Sequence, residues 1–246
     1  MNGYFHQKIE IEDYYLFLKR KYQKSPTKFM IIFLVIMFYI AIPSFNIPAL
    51  EITRTRISGV MEQRAIEKHL IFYPEQDWIN YNDIPISFKQ AVLVMEDDGF
   101  AFHRGIDWES LQLASRINLK RGKIVRGGST ITMQTAKNIF FTTRRNYFRK
   151  AKEILTAIRM EKELTKQTIL EHYLNIVELG DGIFGIQAAS KKFFGKDIDQ
   201  LNREQVARIV AILPSPLKHK PTDNNRFVIR RKNLALSRMS SAILPE

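Results

Sequence analysis

One stretch of this chain carries no ionisable side chain, and it limits the possible folds more than any other feature. Between Lys28 and Glu51 lie 22 uncharged residues, and the first fourteen, Phe29 to Ile42, read FMIIFLVIMFYIAI. At about 1.5 Å per residue such a helix reaches roughly 33 Å, against about 30 Å of hydrocarbon in a bilayer. A core helix of a soluble protein normally shows a polar face, and these fourteen residues have none. Residues 29–50 are therefore expected to form a transmembrane anchor, with Pro43 and Pro48 near its outer end. Lys19, Arg20, Lys21, Lys24 and Lys28 precede the run, while Glu51, Arg54 and Arg56 follow it. That asymmetry predicts a cytoplasmic tail at 1–28 and an outward-facing remainder. The run is long for a cleaved signal peptide, and no small-x-small site follows it.

Beyond the anchor, the periodicity is helical and the expected class is mainly α. With 246 residues the chain holds one ordinary domain plus extensions. The division read from the pattern is a stalk or linker at 51–86, containing a helix at 59–72 ended by Pro74, and a domain at 87–246. Ser87 is expected to cap a helix through Glu96, Asp107 one that Gly122 stops, and Thr165 one through Asn175. Further helices are expected at 146–163, from Asn202 to Pro214 behind a capping box with Gln205, and at about 225–243. Glycines at 122–128 and 180–185 mark loops. The chain has no cysteine, which excludes disulfides, thiolate metal sites and a cysteine nucleophile.

Formal net charge is +13, and it is concentrated. Between Ser110 and Lys152 stand eleven basic residues and no acid, interleaved with Ile139, Phe140, Phe141, Tyr147 and Phe148. A solvated face is one reading of such a run. Mixed with aromatics, it also suits a membrane interface or a groove for a lipid-linked phosphate. Single-stranded nucleic acid would fit the same chemistry, but an outward-facing anchored domain argues against nucleic acid as partner.

Two acidic positions stand out. Glu96-Asp97-Asp98 ends an apolar helix, where three acids oppose the helix dipole and repel one another. Such crowding raises a carboxyl pKa, as a general base near neutral pH requires, although a solvated turn reads the same way. Glu153 follows Arg149 by one helical turn, which is either a simple ion pair or a second acid beside a basic pocket. His103 stands alone, and no HExxH-like metal motif occurs.

Five blocks in order sharpen this. EDDGFAFHRG at 96–105 resembles the E-D-x-x-F-x-x-H-x-G signature of peptidoglycan glycosyltransferases, which polymerise lipid-linked cell-wall disaccharides. GGSTITMQTAKN at 127–138, RKAKEILTAIRMEKELTKQTIL at 149–170, EHYLNIVELGDGIFGIQAASKKFFGK at 171–196 and LNREQVARIVAILPSP at 201–216 resemble the following blocks. Met133 departs from the usual S-T-I-T-Q-Q run.

The resemblance implies a lysozyme-like helical domain behind a single N-terminal membrane helix, in the bacterial inner membrane with the catalytic domain outside. It implies lipid II and the growing lipid-linked glycan as substrates, and other cell-wall synthesis proteins as partners. Glu96 becomes the expected base for the acceptor 4-hydroxyl. Glu153 becomes the second catalytic glutamate, acting directly or through a divalent metal such as Mg2+ or Mn2+. Lys137, Arg145 and Arg149 fall at diphosphate-binding positions, with Ser129, Thr130, Gln134 and Asn138 as further donor-site contacts. Asp97, Phe100 and His103 complete the first block and shape the site. No transpeptidase block set follows, so the chain resembles the monofunctional form. A glycan-cleaving lysozyme-like enzyme, whose site is also two carboxylates, and a non-catalytic anchored scaffold are the rival readings.

Overall fold

A computed structural model describes residue 16 and residues 25–41, 47–69, 76–123, 127–143 and 147–245. The chain divides into two compact units, residues 1–42 and 43–246.

In the first unit, helix α1 spans Pro26–Ala41. Its apolar side chains from Met30 to Met37 are all exposed, with no polar stripe among them. Among the described residues no helix is long and apolar enough to cross a membrane. The expected 29–50 helix is therefore not one element. Its last residues belong to the second unit, where Pro48 opens a 3-10 turn over Pro48–Glu51 and Ile47 and Leu50 enter the core. Proline suits the first helical position, so Pro48 starts a new turn here and does not end an old one. The intervening 42–46 lie outside the described residues.

The second unit is helical: α2 (Gly59–Glu67), α3 (Ile86–Glu96), α4 (Trp108–Arg121), α5 (Ile131–Phe140), α6 (Tyr147–Glu163), α7 (Lys166–Ile176), α8 (Ile186–Phe194), α9 (Arg203–Ala211) and α10 (Arg226–Arg238). Three caps expected from the pattern form: Asp107 accepts from Ser110 N, Thr165 from Thr168 N, and Asn202 with Gln205 closes a reciprocal box. Gly122 ends α4 in the left-handed conformation, at φ +60°. Ser87 does not cap α3, which starts two residues earlier than expected, at Ile86 behind Pro85. The glycine loop at 180–185 contains an unforeseen two-stranded antiparallel hairpin, β1 (Glu178–Gly180) with β2 (Ile183–Phe184). The expected stalk helix is shorter than 59–72 and does not stand apart: Ser58 caps α2, and Val60 and Met61 are buried against Ile176 and Phe184.

Helix α7 is the centre of the core. Ile169, Leu170, Tyr173, Leu174 and Ile176 are fully buried, as are the polar His172 and Asn175. Its polar side chains bind the chain that precedes α3. Glu171 accepts from Trp78 Nε1 at 2.9 Å and Tyr81 N at 2.6 Å. Asn175 exchanges both hydrogen bonds with the Ile79 backbone at 2.8 Å. His172 Nε2 donates to Leu50 O at 2.9 Å, which leaves Nδ1 to accept from Thr55 Oγ1 at 2.9 Å. The segments around residues 50 and 80 are thus attached to the same helix.

Burial holds the His172 pKa below its ordinary value. In the unfolded chain the ring titrates near about 6.5, so below that pH the unfolded state takes up the proton first and stability falls. The thermal midpoint is expected to drop as pH decreases below about 6.5. His172→Gln should flatten that slope while costing about 1–3 kcal/mol at neutral pH, as read by calorimetric melts across pH.

Candidate active site

Glu96 is the last residue of α3. Its carboxylate sits at the negative end of the helix dipole and is largely shielded from water, two effects that both favour the proton. Gln134 Nε2 donates to Oε2 at 3.2 Å and Arg231 Nη2 to Oε1 at 3.1 Å. Tyr173 Oη donates to Gln134 Oε1 at 3.2 Å, which turns the Gln134 amide nitrogen toward Glu96. Burial raises the Glu96 pKa, and Arg231, Gln134 and Lys137 only partly offset it. Burial and the charges of Glu96 and Asp97 keep the Tyr173 hydroxyl protonated well beyond its usual range.

The other two acids of the cluster have their own partners, so mutual repulsion is not what lifts Glu96. Asp97 is buried and accepts from Ile131 N at 2.8 Å and His103 Nε2 at 2.9 Å. Asp98 is exposed and pairs with Arg238 Nη2 at 2.6 Å. Phe100 is fully buried under the same turn, with Lys166 Nζ 4.4 Å from its ring centroid. Lys166 also donates to His103 O at 2.7 Å and to Glu161 at 2.8 Å. Asp97, Phe100 and His103 therefore brace the first-block turn. Thr130 does the same from α5: it caps Met133 N and donates to Gly105 O at 2.6 Å. Gly105 has φ +85°, and a Cβ there would lie 2.9 Å from Ala157 O on α6.

Glu153 lies on α6, nearly inaccessible, with Arg149 Nη1 at 2.8 Å on one oxygen and Lys150 Nζ at 2.5 Å on the other. Lys150 also donates to Ser129 Oγ at 3.0 Å. Lys137 is deeply placed on α5, one turn after Gln134, and burial lowers its pKa. It lies within electrostatic reach of both Glu96 and Glu153. No hydrogen bond or ion pair engages its ammonium among the described residues. Three cations thus face one carboxylate around Glu153, a local surplus suited to a polyanion.

A cleft of about 720 Å³ opens over Glu96, lined also by Asp98, Ser129, Gln134, Arg230 and Arg231. A second, of about 440 Å³, is lined by Gln134, Lys137, Asn138, Thr143 and Glu178. Gln134 and Pro214 border both. Of the residues expected at the site, Glu96, Asp97, Ser129, Thr130, Gln134, Lys137 and Asn138 line these spaces, and Arg149 and Glu153 join them through Lys150 and Ser129. Arg145 lies outside the described residues, as do Arg126 and Arg144. Arg231, Arg238, Lys150 and Tyr173 were not singled out from the sequence. Lys150 was foreseeable, three residues before Glu153. The other three carry no local signal.

One part-buried and one buried carboxylate, Glu96 and Glu153, thus stand beside a cation-rich cleft. The family model described as transglycosylase matches residues 63–240. A biosynthetic peptidoglycan transglycosylase of Janthinobacterium sp. (strain Marseille) is 44% identical over 168 residues, covering 68% of this chain and 73% of that protein. One from Herminiimonas arsenicoxydans is 41% identical over the same length, with the same coverage. One from Acinetobacter baumannii (strain ACICU) is 39% identical over 170 residues, 69% of this chain and 76% of that protein. The chain belongs to the transglycosylase family.

The divalent ion implied by the resemblance does not fit Glu153, because both of its oxygens already hold cations. Among the described residues no group of three or more His, Asp or Glu side chains converges as a metal site.

Charge-assisted contacts to phosphate are worth about 1.5–3 kcal/mol each. Lys137→Ala is therefore expected to lower turnover at least about tenfold even at high salt, whereas exposed Lys120→Ala at the end of α4 should change it little. Equal effects in a salt-titrated rate assay would make the basic tract a diffuse surface.

Proposed function

We propose that this chain polymerises lipid II into linear β-1,4-linked glycan strands of peptidoglycan, releasing undecaprenyl diphosphate, as a monofunctional cell-wall glycosyltransferase. The observation that carries this reading is Glu96: a largely shielded carboxylate of raised pKa, oriented by two hydrogen bonds, over an open cleft. A raised pKa brings the proton affinity of a carboxylate closer to the operating pH, where a general base is most effective.

In this reading Glu96 takes the proton of the acceptor sugar 4-hydroxyl. The oxygen attacks the donor's anomeric carbon, and the bond to the diphosphate breaks with its electron pair leaving on phosphate oxygen. Attack from the opposite face inverts the α-linked donor to a β product. Lys137, Arg149 and Lys150 stabilise the charge that accumulates on the departing diphosphate, and fixed cations act most strongly in such a water-poor site. Glu153 holds Arg149 and Lys150 in place between turnovers. No step in this scheme runs through a metal ion.

The same reading makes α1 the core of a single-pass anchor that ends before Ile47, with a cytoplasmic N-terminus and the catalytic unit on the outer face of the inner membrane. Supporting it are the apolar surface of α1 and the lysines that precede it. Both substrates carry polyprenyl tails, so anchoring shares a two-dimensional solvent with them. Exposed Tyr147 and Phe148 offer an apolar face of the kind that rests on a membrane interface.

Purified protein is expected to polymerise lipid II and to leave finished glycan intact, with and without EDTA. Glu96→Gln, which keeps the shape but not the proton acceptor, should slow polymerisation about 10²–10⁴-fold. Wild-type rates from that variant would remove Glu96 from the mechanism. Protease added to the outer side of intact inner membranes should digest residues after Leu50 and spare the first 28; protection of the large unit would reverse the topology.

A further inference from the structure

Arg231 reaches the site from a helix that none of the five sequence blocks includes. It lies on α10, 135 positions from Glu96 in the chain. Its Nε donates to Ala211 O at 2.9 Å, the carbonyl of the last residue of α9. That carbonyl has no partner further along its own helix and sits at the negative end of the dipole, where a cation is favoured. A guanidinium is planar, so anchoring Nε fixes the plane of the whole group. Its Nη2 then points at Glu96 Oε1, 3.1 Å away.

We propose that Arg231 is the positioning residue of the base, holding the Glu96 carboxylate in one orientation and as an anion while leaving lone pairs on both oxygens for the acceptor hydroxyl. The inference rests on Glu96 being the base.

The groups that face Glu96 make Arg231 the one available for this task. From α5 come the neutral Gln134 amide and Lys137, which acts only through space. From α7 comes Tyr173, a neutral hydroxyl already committed to Gln134. Asp97 and Asp98 are adjacent in the chain but engaged by His103 and Arg238. Arg230 lines the same cleft, and Arg231 is the cation in direct contact with Glu96. Removing Arg231 would leave Glu96 buried beside an amide and a distant ammonium. The carboxyl would then hold its proton to higher pH and be free to swing from the cleft.

Arg231 pulls the Glu96 pKa down against burial, so its loss moves the deprotonated, active form to higher pH. In lipid II polymerisation by the full-length protein, Arg231→Gln should shift the acid limb of the kcat/KM profile upward by about one pH unit or more. Activity should be lost about tenfold below that limb and recover at alkaline pH. Arg231→Lys keeps the charge but cannot span Ala211 O and Glu96 together. It should leave the limb near its wild-type position and lower the plateau about tenfold, the scale expected when a reacting group is held loosely.

A packing role alone would lower the rate equally at every pH for Arg231→Gln, and an unmoved limb overturns the proposal. If Arg231→Gln does not fold, as judged by circular dichroism and thermal melting, Arg231→Lys decides, and wild-type rates across pH overturn it. Glu96→Gln separates the two levels. A fully active Glu96→Gln variant sinks the base assignment and Arg231 with it. An inactive Glu96→Gln beside an unshifted Arg231→Gln profile sinks Arg231 alone.

Discussion

Seating one carboxylate, largely shielded from water, at the C-terminal end of a helix is the constraint around which this domain is arranged. An uncompensated buried charge costs several kcal/mol even after relaxation, comparable with the whole stability of a domain. Glu96 is compensated from three directions, by Gln134 on α5, by Tyr173 on α7 acting through Gln134, and by Arg231 on α10. Each of those helices must be held on its opposite side, and the core does that. On α5, Ile131, Met133 and Ala136 are fully buried while Gln134 and Lys137 share the cleft-facing side, one turn apart. Met133 stands where the family's run has a glutamine, and its complete burial explains why an apolar side chain serves there.

The two glutamates are treated differently. Glu96 contacts one cation and one amide, so its proton affinity stays raised. Glu153 is covered by two cations at its two oxygens and serves as their anchor. Under the proposed function, these separate environments assign separate tasks, one carboxylate moving a proton and the other organising positive charge.

Local features were legible in the sequence because their physics is local. Asp107, Thr165 and Asn202 cap helices by bonding backbone three residues away, and the pattern shows that. Ser87 misled because its helix starts at the Pro85–Ile86 step, set by packing of the buried Phe88 and not by a cap. The outer end of the apolar run misled for a related reason. Ile47 and Leu50 satisfy a hydrophobic core as readily as a bilayer, and composition does not distinguish the two. The hairpin at 178–184 has strands of three and two residues, too short to show alternation. At the site, Glu96, Gln134, Lys137 and Glu153 were readable from ordered blocks. Arg231, Arg238 and Tyr173 were not, since each acts across the fold on residues far away in the chain. His103 and Phe100 were readable as members of the block, but only packing reveals that they support the turn from beneath.

Gly105 gives the arrangement a property of another kind. Its backbone lies against that of Ala157, one turn beyond Glu153 on α6, and it accepts the Thr130 hydroxyl at the start of α5. The segment bearing the first glutamate and the helix bearing the second therefore touch through main-chain atoms, which every residue type shares. The gauge between the two halves of the machinery is written in the backbone. Side chains elsewhere in the core can drift over generations, softening or stiffening the domain, without recalibrating it.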